Sequence, residues 1–399
     1  MKYRNFKGKK ISLLGFGAMR FPTFEQDGNR VVDFPETERI VDRAIEAGVN
    51  YFDTAYPYHR GESERIIGKI LSKYPRESYY LADKFPGHQI MSEYDVKGIF
   101  EEQLEKCGVD YFDFYLLHNL AETTLETYKD ERWGIVDYLL EEKKKGRIKH
   151  LGFSSHATVE GLEEILKIFG DKLEFCQIQL NYLDYTLQRA NEKLELLKKY
   201  NMPVIVMEPV RGGKLANVNP GAEALLKARR PEESVASWCF RWLERFPEII
   251  TVLSGMSNMA QVEDNLKTYS GGEPVTESEC ELIAELAEAM KKSVPCTSCR
   301  YCTDGCPAGL DIPELISVYN DLAFQKSSNT AMRVEFLPDD KKPSACIGCG
   351  KCSEICPQKI DIPKTLSSLS EIISGMRSWR DICREREEDA IRQKEKRVK

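Results

Sequence analysis

NYFDTAYPYHRGESERIIGKILSKY, residues 50–74, reads as a strand running into a helix. NYFDTAY (50–56) is nearly continuous in apolar residues rather than strictly alternating, the mark of a parallel strand covered on both faces. SERIIGKILSKY (63–74) carries apolar residues at helical spacing. The unit recurs. ISLLGFGAM (11–19), SYYLADKF (78–85), YFDFYLLH (111–118), IKHLGFS (148–154), FCQIQLNY (175–182), PVIVMEPV (203–210) and ITVLSGM (250–256) bring the strands to eight. Helical patterns fall between them: PETERIVDRAIEAG (35–48), SEYDVKGIFEEQLEKCG (92–108), WGIVDYLLEEKKKG (133–146), TVEGLEEILKIFG (158–170) and LQRANEKLELLKKY (187–200). Eight strand–helix units in about 270 residues predict an α/β fold closed into a (β/α)8 TIM barrel. The runner-up is an open dinucleotide-binding sheet. It needs a G-x-G-x-x-G turn, and the nearest candidate, Gly15-Phe16-Gly17, has Arg20 where the third glycine belongs.

The chain is longer than one barrel. Its 399 residues leave room for an appendage, and a net charge of −7 gives no reason to expect nucleic acid as a partner. No apolar run is long enough to span a bilayer, and the N-terminus lacks the apolar stretch and cleavage site of a signal peptide. A cytoplasmic location is the expectation. Thirteen cysteines are present. Cys107, Cys176, Cys239, Cys280 and Cys383 are scattered singly, as buried small hydrophobes usually are.

The other eight cysteines form a repeat. CTSCRYCTDGCP (296–307) and CIGCGKCSEICP (346–357) share the spacing Cys-x2-Cys-x2-Cys-x3-Cys-Pro. Thiolates are soft ligands, and in this run three cysteines wrap one [4Fe–4S] cluster while the fourth reaches the other. The spacing therefore predicts Cys296, Cys299, Cys302 and Cys356 on one cluster, and Cys346, Cys349, Cys352 and Cys306 on a second. The repeat extends into CPAGLDIPELIS (306–317) and CPQKIDIPKTLS (356–367), each opening a proline-started helix. The run resembles a two-cluster ferredoxin-type module, mostly α-helical. The rival is a pair of zinc knuckles, but zinc has no need of the third and fourth cysteines in this fixed run. TESECELIAELAEAMKKS (276–293) joins the parts as a helix with Thr276 and Glu279 as a capping box. The predicted organisation is a barrel over 1–275, a connecting helix over 276–293, an iron–sulfur domain over 294–370 and a charged helix over 371–399. In the last, Trp379, Ile382 and Ile391 are candidate contacts.

Active sites of such barrels lie where the strands end. The second strand ends in Asp53, with Tyr58 shortly after. The third ends in Asp83-Lys84, the fourth in His118-Asn119, and the fifth in Ser154-Ser155-His156. Any one of these alone is an ordinary partly buried polar residue. Together they make a proton donor for a carbonyl. A tyrosine is a poor acid at neutral pH unless an ammonium favours its phenolate. A carboxylate can hold that lysine, and a neutral histidine can orient the substrate oxygen.

FDTAYPYHRGESERIIG (52–68), LADKF (81–85), DYFDFYLLH (110–118), GRIKHLGFSS (146–155), QIQLNY (177–182) and GMSNMAQVEDNL (255–266) resemble the aldo-keto reductases. The resemblance implies an enzyme that transfers hydride between NADP or NAD and a carbonyl or alcohol substrate. It places the catalytic roles on Asp53, Tyr58, Lys84 and His118. It places cofactor contacts on Ser154, Ser155, Gln177, Met207, Gly255, Gln261 and Asn265. Three positions depart from the family pattern: Ser155 stands for the usual Asn, Met207 for the aromatic that stacks on nicotinamide, and uncharged Gln261 for a basic residue. The choice between NADP and NAD stays open.

Hydride is two electrons, and two clusters move one each. The expectation is an oxidoreductase whose clusters relay electrons to or from a one-electron carrier protein. Two other readings stand beside it: a simple reductase with structural clusters, and an electron-transfer or partner-binding protein whose barrel has lost catalysis.

Overall fold

The computed structural model describes every residue except 27, 28, 92, 292, 293, 295, 297, 298, 304, 325, 357 and 399, and side chains also exclude 29, 324 and 393–398. Eight parallel strands close into a barrel: Leu14–Gly17, Tyr51–Asp53, Tyr80–Phe85, Phe112–Leu117, Ile148–Ser155, Cys176–Gln179, Val204–Met207 and Ile249–Ser254. Each falls on a stretch the sequence marks as a strand. The first pairs with both the second and the eighth, so no edge is left open, and the open-sheet alternative is excluded.

The stretch 11–19 is not one strand. Lys9–Ser12 pairs antiparallel with Tyr3–Phe6, and the barrel strand begins only at Leu14. Lys7 (φ +47°) and Gly8 (φ +83°) make the tight turn between the two short strands. This hairpin buries Phe6 and Ile11 with Tyr51, Phe114, Phe175, Ile205 and Ile250, which lie toward the starts of the barrel strands. The hairpin thus closes the end opposite the one where the candidate residues stand. A second hairpin, Thr23–Gln26 with Asn29–Val32, follows the first barrel strand.

Helices cover the barrel at Phe34–Glu46, Ser63–Leu71, Val96–Cys107, Ile135–Lys144, Val159–Phe169 and Ala190–Lys199. The one expected over 92–108 starts at Val96, because the Asp95 carboxylate accepts the Gly98 N–H at 2.9 Å and caps it. Ser92 lies outside the described residues. Three further helices, Pro220–Arg229, Val235–Leu243 and Met259–Ser270, open on the capping side chains of Asn219, Ser234 and Asn258. Gly68 is fixed by packing: a Cβ there would sit 2.3 Å from the Cys107 carbonyl oxygen on the neighbouring helix.

The chain divides into two compact units, Met1–Leu286 with Asp389–Lys399, and Ala287–Glu388. The helix Glu277–Met290 begins in the first, with residues 292 and 293 of its expected span outside the described residues. Its capping box forms, with the Thr276 N–H on Glu279 Oε2 at 2.7 Å and the Glu279 N–H on Thr276 Oγ1 at 3.3 Å. Arg230 grips the same Glu279 with two hydrogen bonds of 2.7 Å, which holds the helix start to the barrel.

In the second unit, helices Ile312–Phe324 and Ile362–Ser374 carry the two halves of the repeat. Leu315, Ile316, Val318 and Leu322 of one helix share a buried core with Leu366 and Leu369 of the other. The charged helix runs Trp379–Val398. Trp379 is buried with Met332 and Cys383, and Ile382 packs beside them, but Ile391 is 53% exposed and is not the contact expected of it. Among the described residues no helix is long and apolar enough to cross a membrane.

Candidate active site and cluster cavities

Asp53 closes the second strand and Lys84 lies one residue from the end of the third. Both are buried, at 3% and 0% exposure of their side chains. The Lys84 ammonium donates to Asp53 Oδ1 at 2.5 Å and to the Thr54 carbonyl at 2.6 Å. It also lies 5.0 Å from the centre of the Tyr58 ring. Burial works against the Lys84 charge, yet Asp53 and then Tyr58 hold its pKa above the ordinary amine value. Burial likewise lifts the Asp53 carboxyl, with Lys84 pulling against it.

Tyr58 stands on a strained turn. His59 (φ +49°), Arg60 (φ +58°) and Gly61 (φ +85°) all take left-handed backbone conformations directly after it. Two contacts hold that turn: the His59 ring stacks on Phe21 at 5.2 Å, and its Nε2 accepts the Phe21 N–H at 3.2 Å. The Tyr58 ring is partly accessible, but its dense surroundings push the phenol above its ordinary pKa, with Lys84 opposing and Asp53 adding to the rise. The ammonium expected to favour the phenolate is in place, but it does not bring the phenol below its ordinary pKa. Only Lys84 lowers it, and burial outweighs that effect.

His118 follows the fourth strand. Its N–H donates to the Phe85 carbonyl at 3.1 Å and its carbonyl accepts the Tyr128 hydroxyl at 2.7 Å. Its ring stands edge-on to Tyr58, 6.0 Å away at 85°. The buried His88, which no sequence motif singles out, packs against it with ring centres 4.0 Å apart. Its position three residues beyond the third strand was the available signal. All four expected catalytic side chains thus meet at one place.

The expected cofactor residues line the same end of the barrel. Ser154 is buried, and its Oγ accepts the Asn119 N–H at 2.8 Å. Ser155 spends its hydroxyl proton on the Leu120 carbonyl at 2.7 Å. Gln177 is 2% exposed, its Nε2 lies 3.8 Å from Met207 Sδ, and its Oε1 has no hydrogen-bond partner among the described residues. That orphaned oxygen fits a ligand bearing an N–H donor. Gly255 packs against the Arg20 side chain, Gln261 Oε1 accepts the Ser257 N–H at 2.7 Å, and Asn265 donates to Ser254 Oγ at 2.9 Å. These residues surround the start of the helix Met259–Ser270, where the Asn258 side chain accepts the Gln261 N–H at 3.0 Å; the positive end of a helix suits an anionic group. The turn after the seventh strand was missed. Glu208, Arg211, Gly212 and Gly213 all have positive φ there, and Arg211 pairs with buried Asp184 at 3.0 Å.

The cysteine repeat folds into two cavities. One is lined by Cys306 with Cys346, Cys349 and Cys352. The other is lined by Cys296, Cys299 and Cys302 with Cys356. The fourth cysteine of each repeat therefore stands with the first three of the other, the grouping that the spacing predicts. Among the described residues no set of three or more His, Cys, Asp or Glu is arranged to hold a single metal ion. Apolar walls complete each cavity, with Leu310, Ile312 and Leu366 around one and Ile316, Ile360 and Ile362 around the other. Four thiols and apolar walls suit a sulfur-ligated iron cluster.

Comparison with known proteins agrees with both halves. Residues 13–288 match the Aldo/keto reductase family, and residues 295–360 match the 4Fe-4S dicluster domain. The NADH-specific methylglyoxal reductase of Escherichia coli is 26% identical over 298 residues, covering 63% of this chain and 88% of that protein. The L-galactose dehydrogenase of Arabidopsis thaliana is 27% identical over 310 residues, covering 70% and 92%. The holo form of an aldo-keto reductase, AKR11C1 from Bacillus halodurans, superposes with a TM-score of 0.56 at 25% identity, covering 72% of this chain and 96% of that one. With its closed barrel, its strand-end residues and a matching stretch of more than half its length, the chain belongs to the aldo/keto reductase family of oxidoreductases and carries a 4Fe–4S domain C-terminal to it in sequence.

Proposed function

We propose that the protein is an NAD(P)-dependent oxidoreductase that interconverts a small carbonyl compound and its alcohol, with two [4Fe–4S] clusters that relay electrons to or from a one-electron carrier protein. The observation that carries the reading is the buried Asp53–Lys84 pair beneath Tyr58, with His118 edge-on to the phenol. When bound, the nicotinamide supplies or accepts hydride and the clusters carry single electrons.

The chain's own residues do the rest. Tyr58 donates its proton to the carbonyl oxygen during reduction and takes it back during oxidation. Lys84 stabilises the phenolate left behind. Asp53 serves Tyr58 through Lys84, by keeping the ammonium charged and placed. His118 orients the substrate oxygen. Ser154, Gln177 and Met207 receive the nicotinamide end of the cofactor, Ser155 braces the loop that carries Asn119, and Gly255, Gln261 and Asn265 receive the adenosine end. Cys296, Cys299, Cys302 and Cys356 ligate one cluster, and Cys306, Cys346, Cys349 and Cys352 the other. The parts of the molecule in this reading are the barrel over 1–275, the connector over 276–293, the iron–sulfur domain over 294–370 and the tail helix over 371–399. A cytoplasmic setting suits thirteen cysteines of which none is in a disulfide.

The E. coli relative that reduces methylglyoxal suggests small aldehydes as first substrates, tested with NADH and NADPH in parallel. Removing the acid should cost about 10²–10⁴-fold in rate. Tyr58→Phe is therefore expected to lose carbonyl reduction to that extent while keeping its fold. Undiminished reduction in that variant sinks the proposed chemistry.

A further inference from the structure

The two halves of the cysteine repeat build nearly the same cavity twice. Leu310, Ile312 and Leu366 wall the first, and Ile360, Ile362 and Ile316 stand at the matching places in the second. Two matching positions break the likeness. Gly350 lines the first cavity where Arg300 lines the second, and Ala308 lines the first where Gln358 lines the second. Both polar side chains fall on the same cavity, the one lined by Cys296, Cys299, Cys302 and Cys356.

Arg300 sits there against the preference of its backbone. Its φ is +66°, beside +76° at Gly350. Glycine takes that conformation without strain, whereas a side chain is penalised there, and strain of this kind marks functional positions. Asp311 Oδ2 accepts from the guanidinium at 2.9 Å and holds it in place. Asp361 occupies the same place in the other repeat, so each repeat has its carboxylate and the guanidinium is the difference. Among the described lining residues of both cavities, Arg300 is the one charged side chain. Lys341 approaches the first cavity with its ammonium on the Ala308 carbonyl at 2.9 Å, but it does not line it.

Taking up one electron makes an iron–sulfur cluster one charge more negative, with no bond formed or broken. A cation and an N–H donor beside it favour that reduced form. We propose that the two clusters are unequal, with Arg300 and Gln358 raising the reduction potential of the one held by Cys296, Cys299, Cys302 and Cys356, so that it takes the first electron. The inference rests on the two-cluster reading above and gives the relay an order. Both residues act through the cluster and touch no substrate.

The test is an anaerobic redox titration of the cluster-loaded protein with dithionite, read by electron paramagnetic resonance. Wild type should reduce in two separate steps. Arg300→Gly and Gln358→Ala give each position the residue that its counterpart has. The double variant should lower the first step by about tenfold in electron affinity, about 59 mV for one electron, and leave the second in place. Arg300→Lys keeps the charge and should keep most of the separation. The reverse exchange, Gly350→Arg with Ala308→Gln, should raise the second step; a Cβ at Gly350 meets nothing within 4 Å. Repulsion between two reduced clusters would also separate the steps, but that separation would survive every variant. An unchanged separation in the double variant therefore overturns the inference, as does a fall of the second step in place of the first. A reverse exchange that moves neither step overturns it too. A wild type whose clusters reduce in a single step overturns it before any variant is made. A protein that takes up no clusters on anaerobic loading overturns it together with the two-cluster reading.

Discussion

Lys84 and Asp53 form a fully buried ion pair, 2.5 Å from Nζ to Oδ1, on neighbouring strands of the barrel. Neither strand needs that pair to close the sheet. A buried pair is costly to keep, because both charges lose their water. Its position beneath Tyr58 gives it a use in catalysis.

Breaking the pair should be expensive. Asp53→Asn leaves an ammonium buried without its counter-charge and should destabilise the barrel by about 3–5 kcal/mol. Burial lifts Asp53 too, so charging the carboxylate already offsets part of what the pair gives. The Asp53→Asn/Lys84→Met double variant should therefore recover much of the loss. Denaturant unfolding of all three variants measures this, and additive losses would show that the two residues do not act as a pair. Because the folded pKa of Lys84 is raised, the pair's contribution holds from neutral pH up to the unfolded amine value of about 10.4 and is lost as pH rises through the folded value.

Lys84 should matter more for oxidation than for reduction. Reduction uses Tyr58 as the phenol, the form that burial already favours. Oxidation needs the phenolate, and Lys84 is the group that lowers the cost of making it. In Lys84→Met the rise of alcohol oxidation with pH should move to higher pH. The rate at about pH 9 should then fall further than the reduction rate at about pH 7, where the phenol is already protonated. Equal losses in both directions would mean that Lys84 only supports the fold.

Paired cysteine variants test the crossed ligand sets. Cys356→Ala and Cys299→Ala remove ligands around the same cavity, so the double variant should keep about half the iron, as each single variant does. Cys356→Ala with Cys349→Ala removes one ligand from each cavity and should lose nearly all of it. Iron analysis and electron paramagnetic resonance of the reduced proteins measure the outcome. The reverse pattern would assign each cluster to a single repeat.

Removing the iron should unfold one unit and leave the other. The core of residues 287–388 is small and lies against the two cavities, whereas the barrel has its own much larger core. Chelation should abolish the cooperative melting of the cluster unit and shift the barrel transition little. A collapse of both transitions would show that the barrel depends on the clusters.

The barrel was legible because its strands are buried on both faces, so each reads as an apolar run such as YFDFYLLH, and the strand ends then pointed to Asp53, Lys84 and His118. The cluster ligands were legible because their spacing is fixed chemistry. What escaped depended on backbone conformation and on contacts distant in sequence. The stretch 11–19 hid a turn at Ser12–Leu14 that only the pairing of Lys9–Ser12 with Tyr3–Phe6 shows. Tyr58 was found, but the left-handed turn behind it and the His59–Phe21 stack that pins it carry no sequence period. His88 was missed as a site residue because it gains its meaning from its neighbour His118. The upward shift of Tyr58 could not be read either, since it comes from burial and not from the identity of adjacent residues.

The central claim is that hydride chemistry in the barrel and electron transfer by the clusters act on the same electrons. An anaerobic titration of the iron-loaded protein with NADH, and then NADPH, tests it through the visible absorption of the clusters. The account predicts bleaching by at least one of the two nucleotides. Clusters that dithionite reduces but neither nucleotide bleaches would contradict it.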